Sequence, residues 1–264
     1  MPLHSPVAFP RLSPDEFKEL DYQVMAHAFT AHRDLGRLCD ETIYQSDLAN
    51  RLSAAGLGPI RRELPLTASF RGFAFTYFAD LVVADRAIYE LKAESALTPA
   101  HEGQLLNYLL LTNAARGKLI NFRAPSVESR FANAPLDATE RHRFTIHRDH
   151  PDPFYTLVAD LVSDWGTGLE TTLYVRALTH HLGGESEVIR LLPMTRGAAQ
   201  LGNQRFHLAA PDTAFVVSSL LSAEANHRHH LVRLLQASPL DRLLWANIAF
   251  HDLTFTTITR NTKL

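Results

Sequence analysis

The sequence predicts an α/β fold, with a mixed central sheet flanked by helices and, after it, a degenerate second copy of the same core. Three observations lead there. Two stretches with helical start and stop signals precede three extended apolar runs; a further helical stretch then separates the third run from a fourth; and the second half of the chain echoes this order.

Ser13-Pro14-Asp15-Glu16 opens the first helix, with Ser13 as N-cap, Pro14 at the first helical position and Glu16 completing a capping box. This helix is expected to reach about Arg33. A second helix should span roughly Asp40 to Ala55 and stop at Gly56, with Gly58-Pro59 beyond it. Strands are expected near Arg61–Ala68, Phe73–Val83, Ala87–Ala93 and Lys118–Phe122, with a helix over Pro99–Thr112 between the last two. The Phe122–Pro135 region, with Pro125 and Pro135, reads as a linker. Residues 1–124 are thus expected as one domain, 125–150 as linker and 151–264 as a second domain.

The chemistry is concentrated between Phe78 and Tyr108. Asp80 ends Tyr77-Phe78-Ala79-Asp80, a turn follows at Ala84-Asp85-Arg86, and the next run ends in Glu90-Leu91-Lys92, giving Asp-x9-Glu-x-Lys. Alternate strand residues share a face, so Glu90 and Lys92 point the same way, and a tight turn near Asp85 brings Asp80 beside Glu90. Two carboxylates in apolar strands repel each other unless a cation or a shared proton compensates, and hard oxygen ligands suit Mg2+ or Mn2+. Lys92 is placed to orient or deprotonate a water, or to stabilise charge on a phosphorane. The chemistry implied is metal-assisted phosphodiester hydrolysis. Gln104 and Tyr108, four residues apart, share one helical face. Plainer readings stand beside these: Tyr44 and Tyr108 serve equally well as core aromatics, and Glu41 as a charge in a first helical turn.

Several segments in order carry a resemblance. They are His32-Arg33-Asp34-Leu35-Gly36, Glu41-Thr42-Ile43-Tyr44, Ala79-Asp80-Leu81, Glu90-Leu91-Lys92-Ala93, Leu97-Thr98-Pro99-Ala100-His101-Glu102, Gln104-Leu105-Leu106-Asn107-Tyr108 and Leu119-Ile120-Asn121-Phe122. Together they resemble the PD-(D/E)XK nuclease superfamily and, over residues from about 20 to 123, its GxxExxY family; Leu38 stands where that family has glycine. The resemblance implies a restriction-endonuclease-like, RecB-like core and a Mg2+- or Mn2+-dependent nuclease acting on DNA or RNA. It makes Glu41, Asp80, Glu90 and Lys92 catalytic, and Asp80, Glu90, the Leu91 carbonyl and Glu41 the metal ligands. Gln104, Tyr108 and Tyr44 would support the site or contact nucleic acid. The alternative is a catalytically weak or inactive nucleic-acid-binding or protein-interaction scaffold on the same fold.

Composition sets bounds on partners. The chain has 264 residues, 46% of them hydrophobic, enough for a substantial core. A net charge of −2 gives no general attraction to nucleic acid, leaving that to patches such as Arg61-Arg62, Arg71, Lys92, Arg116 with Lys118, and Arg123. Cys39 is the single cysteine, which excludes an internal disulfide and fits a reducing cytoplasm. Met1-Pro2-Leu3-His4-Ser5-Pro6 lacks the charged and apolar regions of a signal peptide, and Leu105–Leu111 is too short to span a bilayer, so a cytoplasmic protein without membrane contact is expected. No glycine-rich phosphate loop or cofactor fingerprint is present.

The second half reads as a degenerate repeat of the first. Gln104–Phe122 aligns without a gap to His230–Ile248, pairing Leu105 with Leu231, Leu119 with Trp245 and Asn121 with Asn247. Gly166-Thr167-Gly168-Leu169-Glu170 followed by Tyr174 echoes the segment around Glu41 and Tyr44, and Pro193 falls on Pro65. Glu90 and Lys92 then fall on Val217 and Ser219, and Gln104 on His230, so a pseudo-nuclease domain is expected. It could complete a pseudo-dimer or support a homodimer. His227-Arg228-His229-His230 is not read as a metal site, because adjacent His229 and His230 cannot share a helical face. Trp165 and Trp245 are expected in the core.

Overall fold

The computed structural model describes residues 2–222 and 224–262. Its contacts divide the chain into two compact units, residues 1–69 with 74–138, and residues 70–73 with 139–264.

The first unit begins with a short strand, β1 (Leu3–His4), then α1 (Pro14–Leu35) and α2 (Glu41–Ala54). The Ser13 capping box forms on both sides, and Gly36 closes α1 at φ 71°, a conformation that favours glycine. There follow β2 (Ile60–Phe70), β3 (Phe73–Val83), β4 (Ala87–Lys92), α3 (Pro99–Thr112), β5 (Arg116–Asn121) and β6 (Glu128–Asn133). These six strands form one sheet in sequence order, with β4 and β5 parallel across the α3 crossover and β3/β4 and β5/β6 antiparallel.

All six residues of β4 are buried, so its two faces decide the architecture. Tyr89 and Leu91 join Phe17, Leu20 and Val24 of α1 and Tyr44, Leu48 and Leu52 of α2 in one apolar core. The other face carries Ile88, Glu90 and Lys92, paired with Gly117, Leu119 and Asn121 of β5. A Cβ at Gly117 would come within 3.0 Å of Leu105 and 3.1 Å of Leu109, so glycine lets α3 lie close against this face.

The second unit repeats the plan. After α4 (Ala138–Arg141) and β7 (Thr145–Arg148) come α5 (Pro153–Trp165), α6 (Thr171–His181), α7 (Glu185–Val188), β8 (Ile189–Arg196), β9 (Ala199–Ala210), β10 (Thr213–Ser218), α8 (Glu224–Ala237), β11 (Arg242–Ile248) and β12 (Asp252–Thr259). The sheet order is β7-β12-β11-β10-β9-β8. β10 and β11 are parallel across α8, as β4 and β5 are across α3. The edges differ: β1 lies antiparallel beside β2, and β7 parallel beside β12.

The stretch read as a linker, 125–150, instead holds β6, α4 and β7. β6 escaped the sequence reading because its residues are partly exposed and show no apolar alternation; Pro125 and Pro135 bound a strand. Two further details correct the sequence alignment. β10 pairs Val216 with Trp245 and Ser218 with Asn247, while β4 pairs Glu90 with Leu119 and Lys92 with Asn121. Glu90 and Lys92 therefore correspond to Val216 and Ser218, one residue before the Val217 and Ser219 given by the alignment. A one-residue slide between apolar strands changes the apolar match little but turns every side chain to the opposite face. Likewise Glu170 is the N-cap of α6, as Asp40 is of α2, so Glu41 corresponds to Thr171.

Two polar devices recur in both units. The Tyr44 hydroxyl donates to the Gly36 carbonyl at 2.8 Å, and that of Tyr174 to the Gly166 carbonyl at 2.6 Å. Asn121 accepts from Glu94 N–H and donates to its carbonyl at 3.1 and 2.8 Å; Asn247 does the same to Leu220 at 2.8 and 3.0 Å. Trp165 and Trp245 are both buried. Among the described residues no helix is long and apolar enough to cross a membrane.

Candidate active site

The β3/β4 hairpin brings Asp80, Glu90 and Lys92 together. Val82 pairs with Ile88 and Leu81 with Tyr89, a register that carries Asp80 next to the Glu90 end of β4. Asp80 Oδ2 accepts from the Leu91 N–H at 2.8 Å. Lys92 Nζ donates to Glu90 Oε1 at 2.8 Å and lies 3.8 Å from Asp80 Oδ2. One ammonium thus stands between two carboxylates. Glu41, at the first position of α2, is close enough for its charge to act on Asp80, Glu90 and Lys92.

Burial dominates the electrostatics. Glu90 is 0% exposed, and its carboxyl is pushed up first by loss of solvent and then by the Asp80 charge, against the pull of Lys92. Asp80 is raised by the same loss of solvent, with Lys92 and the Leu91 N–H opposing. Burial pulls the Lys92 ammonium down, yet Glu90 and Asp80 together raise it above the ordinary value. Glu90 Oε2 is buried with no hydrogen-bond partner.

That orphaned oxygen and the shortage of positive charge fit a divalent cation. Among the described residues no three His, Cys, Asp or Glu side chains are grouped to cage an ion. A hard cation such as Mg2+ needs fewer protein ligands, because it keeps several waters and binds through one or two carboxylates. The donors present for it are Asp80, Glu90 and the Leu91 carbonyl, with Glu41 nearby.

The supporting residues sort clearly. Gln104 Nε2 donates to the Tyr108 hydroxyl at 2.8 Å on α3, and Tyr108 is 3% exposed. Tyr44 is fully buried, stacks on Phe122 at 4.5 Å and pins the loop ahead of Glu41 through Gly36 and the Cys39 N–H.

The expected cationic patches are mostly engaged. Lys118 points inward, where its ammonium meets the buried Asp21 at 2.6 Å; strand alternation turns it to the α1 face. Arg116 donates to the Leu12 carbonyl, Arg123 to the Ala93 carbonyl, and Arg61 pairs with Asp85.

Two residues at the site were not singled out from the sequence. Gln45, one turn after Glu41, donates to the Asp80 carbonyl, and Glu63 of β2 adds a further carboxylate whose charge acts on Asp80. The i, i+4 spacing from Glu41 could have signalled Gln45. Glu63 sits in Arg61-Arg62-Glu63, which reads as a solvated charge run.

In the second unit the charged groups are gone. By the registers above, Glu41, Glu90 and Lys92 become Thr171, Val216 and Ser218. β9 sets His207 beside Phe215 as β3 sets Leu81 beside Tyr89, so Asp80 becomes Phe206.

Comparison with known proteins bears on the first unit. No curated protein matches the chain. A solved structure described as SSO0001 is similar at 22% identity and a TM-score of 0.28, over 47% of this chain and 61% of that one, so the likeness spans less than two thirds of that protein. Residues 18–132 match a family model described as the PD-(D/E)XK nuclease superfamily, whose members are usually nucleases that use divalent metals such as Mg2+. The matched segment runs from α1 into β6 and takes in the whole acidic cluster: the chain has a PD-(D/E)XK nuclease-like core in its first unit.

Proposed function

We propose that this protein is a divalent-metal-dependent nuclease, of the GxxExxY type, that hydrolyses phosphodiester bonds in nucleic acid, with DNA as the foremost substrate. The observation that carries the reading is the buried Glu90–Lys92 pair beside Asp80, with Glu90 Oε2 unpartnered. Asp80, Glu90 and the Leu91 carbonyl would hold Mg2+ or Mn2+, with Glu41 assisting directly or through water. Bound there, the cation would polarise the phosphate and lower the pKa of water.

The chain's own residues supply the rest. Lys92 Nζ, held by Glu90, presents its remaining N–H groups toward an incoming water or a phosphate oxygen, fixing the one and stabilising charge on the other. The Leu91 N–H keeps the Asp80 carboxylate in one orientation. Gln104 and Tyr108 brace α3 behind the site. The second unit, in this reading, is a pseudo-nuclease domain.

Titrating Mg2+ and Mn2+ into the purified protein, with labelled linear and circular single- and double-stranded substrates, tests this. Metal-dependent cleavage that disappears in Asp80→Ala and Lys92→Ala supports the reading. No metal binding by the wild-type protein would instead favour a nucleic-acid-binding or protein-interaction scaffold, for which the loss of all four site groups from the second unit speaks.

A further inference from the structure

Gln45 is 3% exposed, and every hydrogen-bonding position of its amide is used by another element. Nε2 donates to the Asp80 carbonyl at 2.8 Å and to Glu63 Oε1 at 2.6 Å, while Oε1 accepts from Arg62 at 2.9 and 3.2 Å. A primary amide offers two donors and two acceptor lone pairs, so the group is saturated. It lies one turn beyond Glu41 on the same helical face. A single side chain therefore ties α2, which carries Glu41, to β3 at Asp80 and to β2 at Arg62 and Glu63.

The β2 partner is held in an unusual state. Glu63 has φ +50°, a left-handed conformation that is costly for a non-glycine residue within a strand. Such a residue persists where surrounding interactions over-determine it. Here its carboxylate, on an exposed residue, accepts from the Gln45 amide.

We propose that Gln45, fixed by Arg62 and Glu63, is the positioning residue of the acidic centre: it sets Asp80 against the Leu91 N–H and holds the Glu41 helix to the same strand. It acts through those groups and does not touch the reacting atoms. Its consequence for cleavage rests on the nuclease reading, but its effect on Asp80 does not.

The Leu91 N–H is the direct reporter, because it donates to Asp80 Oδ2. Gln45→Met keeps the length of the side chain without its hydrogen bonds, and Gln45→Ala serves as the second variant. Amide hydrogen exchange of Leu91 is compared with that of Ile88 in the same strand, alongside Mn2+ affinity and steady-state cleavage. Leu91 exchange is expected to accelerate about tenfold more than Ile88 exchange, by local opening and not by global unfolding. Mn2+ affinity and kcat are expected to fall about 10-fold with KM unchanged, the usual scale for a residue behind a metal ligand. Equal acceleration at Leu91 and Ile88 would reduce Gln45 to a general structural contact and overturn the proposal. A wild-type protein that neither binds Mn2+ nor cleaves would remove the nuclease reading, while the exchange comparison would still decide the role of Gln45.

Discussion

Lys92 Nζ donates to Glu90 Oε1 at 2.8 Å within a strand that is buried throughout. The ammonium stands where a cation would also be drawn, so its removal separates catalysis from metal binding. Lys92→Ala is expected to lower cleavage by at least about 100-fold. Mn2+ affinity, measured by calorimetry, should be retained or increased, because a competing positive charge has gone. Retained cleavage would reject the role assigned to Lys92.

The two raised carboxyls give the metal-free protein a pH dependence of definite sign. Burial pushes the Glu90 carboxyl from 4.5 up to about 8 and that of Asp80 from 3.8 up to about 6. Folding favours the protonated form, so this contribution is fully present below the ordinary carboxylate pKa. It is lost as pH rises through about 6 and about 8. Thermal melts in EDTA should therefore fall over that window, and Glu90→Gln should flatten the slope. Saturating Mg2+ should restore stability at the alkaline end, through binding to the ionised pair. A slope unaltered by Glu90→Gln would assign it to other groups.

Asp21 and Lys118 form a buried pair at 2.6 Å on the α1 face, and Asp21 Oδ1 has no partner. Lys118→Met alone should cost about 3–5 kcal/mol in denaturant unfolding, because it leaves a carboxyl buried without its counter-charge. The double variant Asp21→Leu/Lys118→Met should recover most of that loss. Neither change should alter the salt dependence of nucleic-acid binding, since Lys118 does not face solvent.

Asn247 joins β11 to the Leu220 backbone and to Glu224 as Asn121 joins β5 to Glu94 and Glu128. Asn247→Ala should lower stability by about 1–3 kcal/mol, from the buried backbone groups it leaves unpaired, and should leave cleavage unchanged. A loss of cleavage at full folding would give the second unit a share in the reaction.

Much of this architecture could be read from the sequence where local chemistry is strong. The Ser13 capping box, Gly56 beyond α2 and the Pro99–Thr112 helix fall where cap and turn residues place them. The Asp80 to Lys92 spacing could be read because strand alternation and a tight turn leave one register. β6 could not, since an exposed edge strand carries no apolar period, and neither could the inward turn of Lys118, which depends on Asp21 in α1, distant in sequence. Gln45 and Glu63 lie on separate elements, and their meeting is a tertiary fact. The Val216/Ser218 register needed the hydrogen-bonded ladder itself.

The Trp245 Nε1 group donates to Ser218 Oγ at 2.8 Å, and the same oxygen donates to Asn247. Where the first unit sets Leu119 and Lys92, the second sets a larger and a smaller residue, and the indole reaches across to the serine. Where the first unit has an ammonium, the second has a neutral, hydrogen-bonded chain from Trp245 through Ser218 to Asn247. Lysine at position 218 is expected to press against the indole, and leucine at 245 to leave the Ser218 hydroxyl without its indole donor. Changing either residue alone to its first-unit counterpart breaks the Trp245–Ser218 hydrogen bond, so the two positions are coupled and only a paired exchange would keep the site packed.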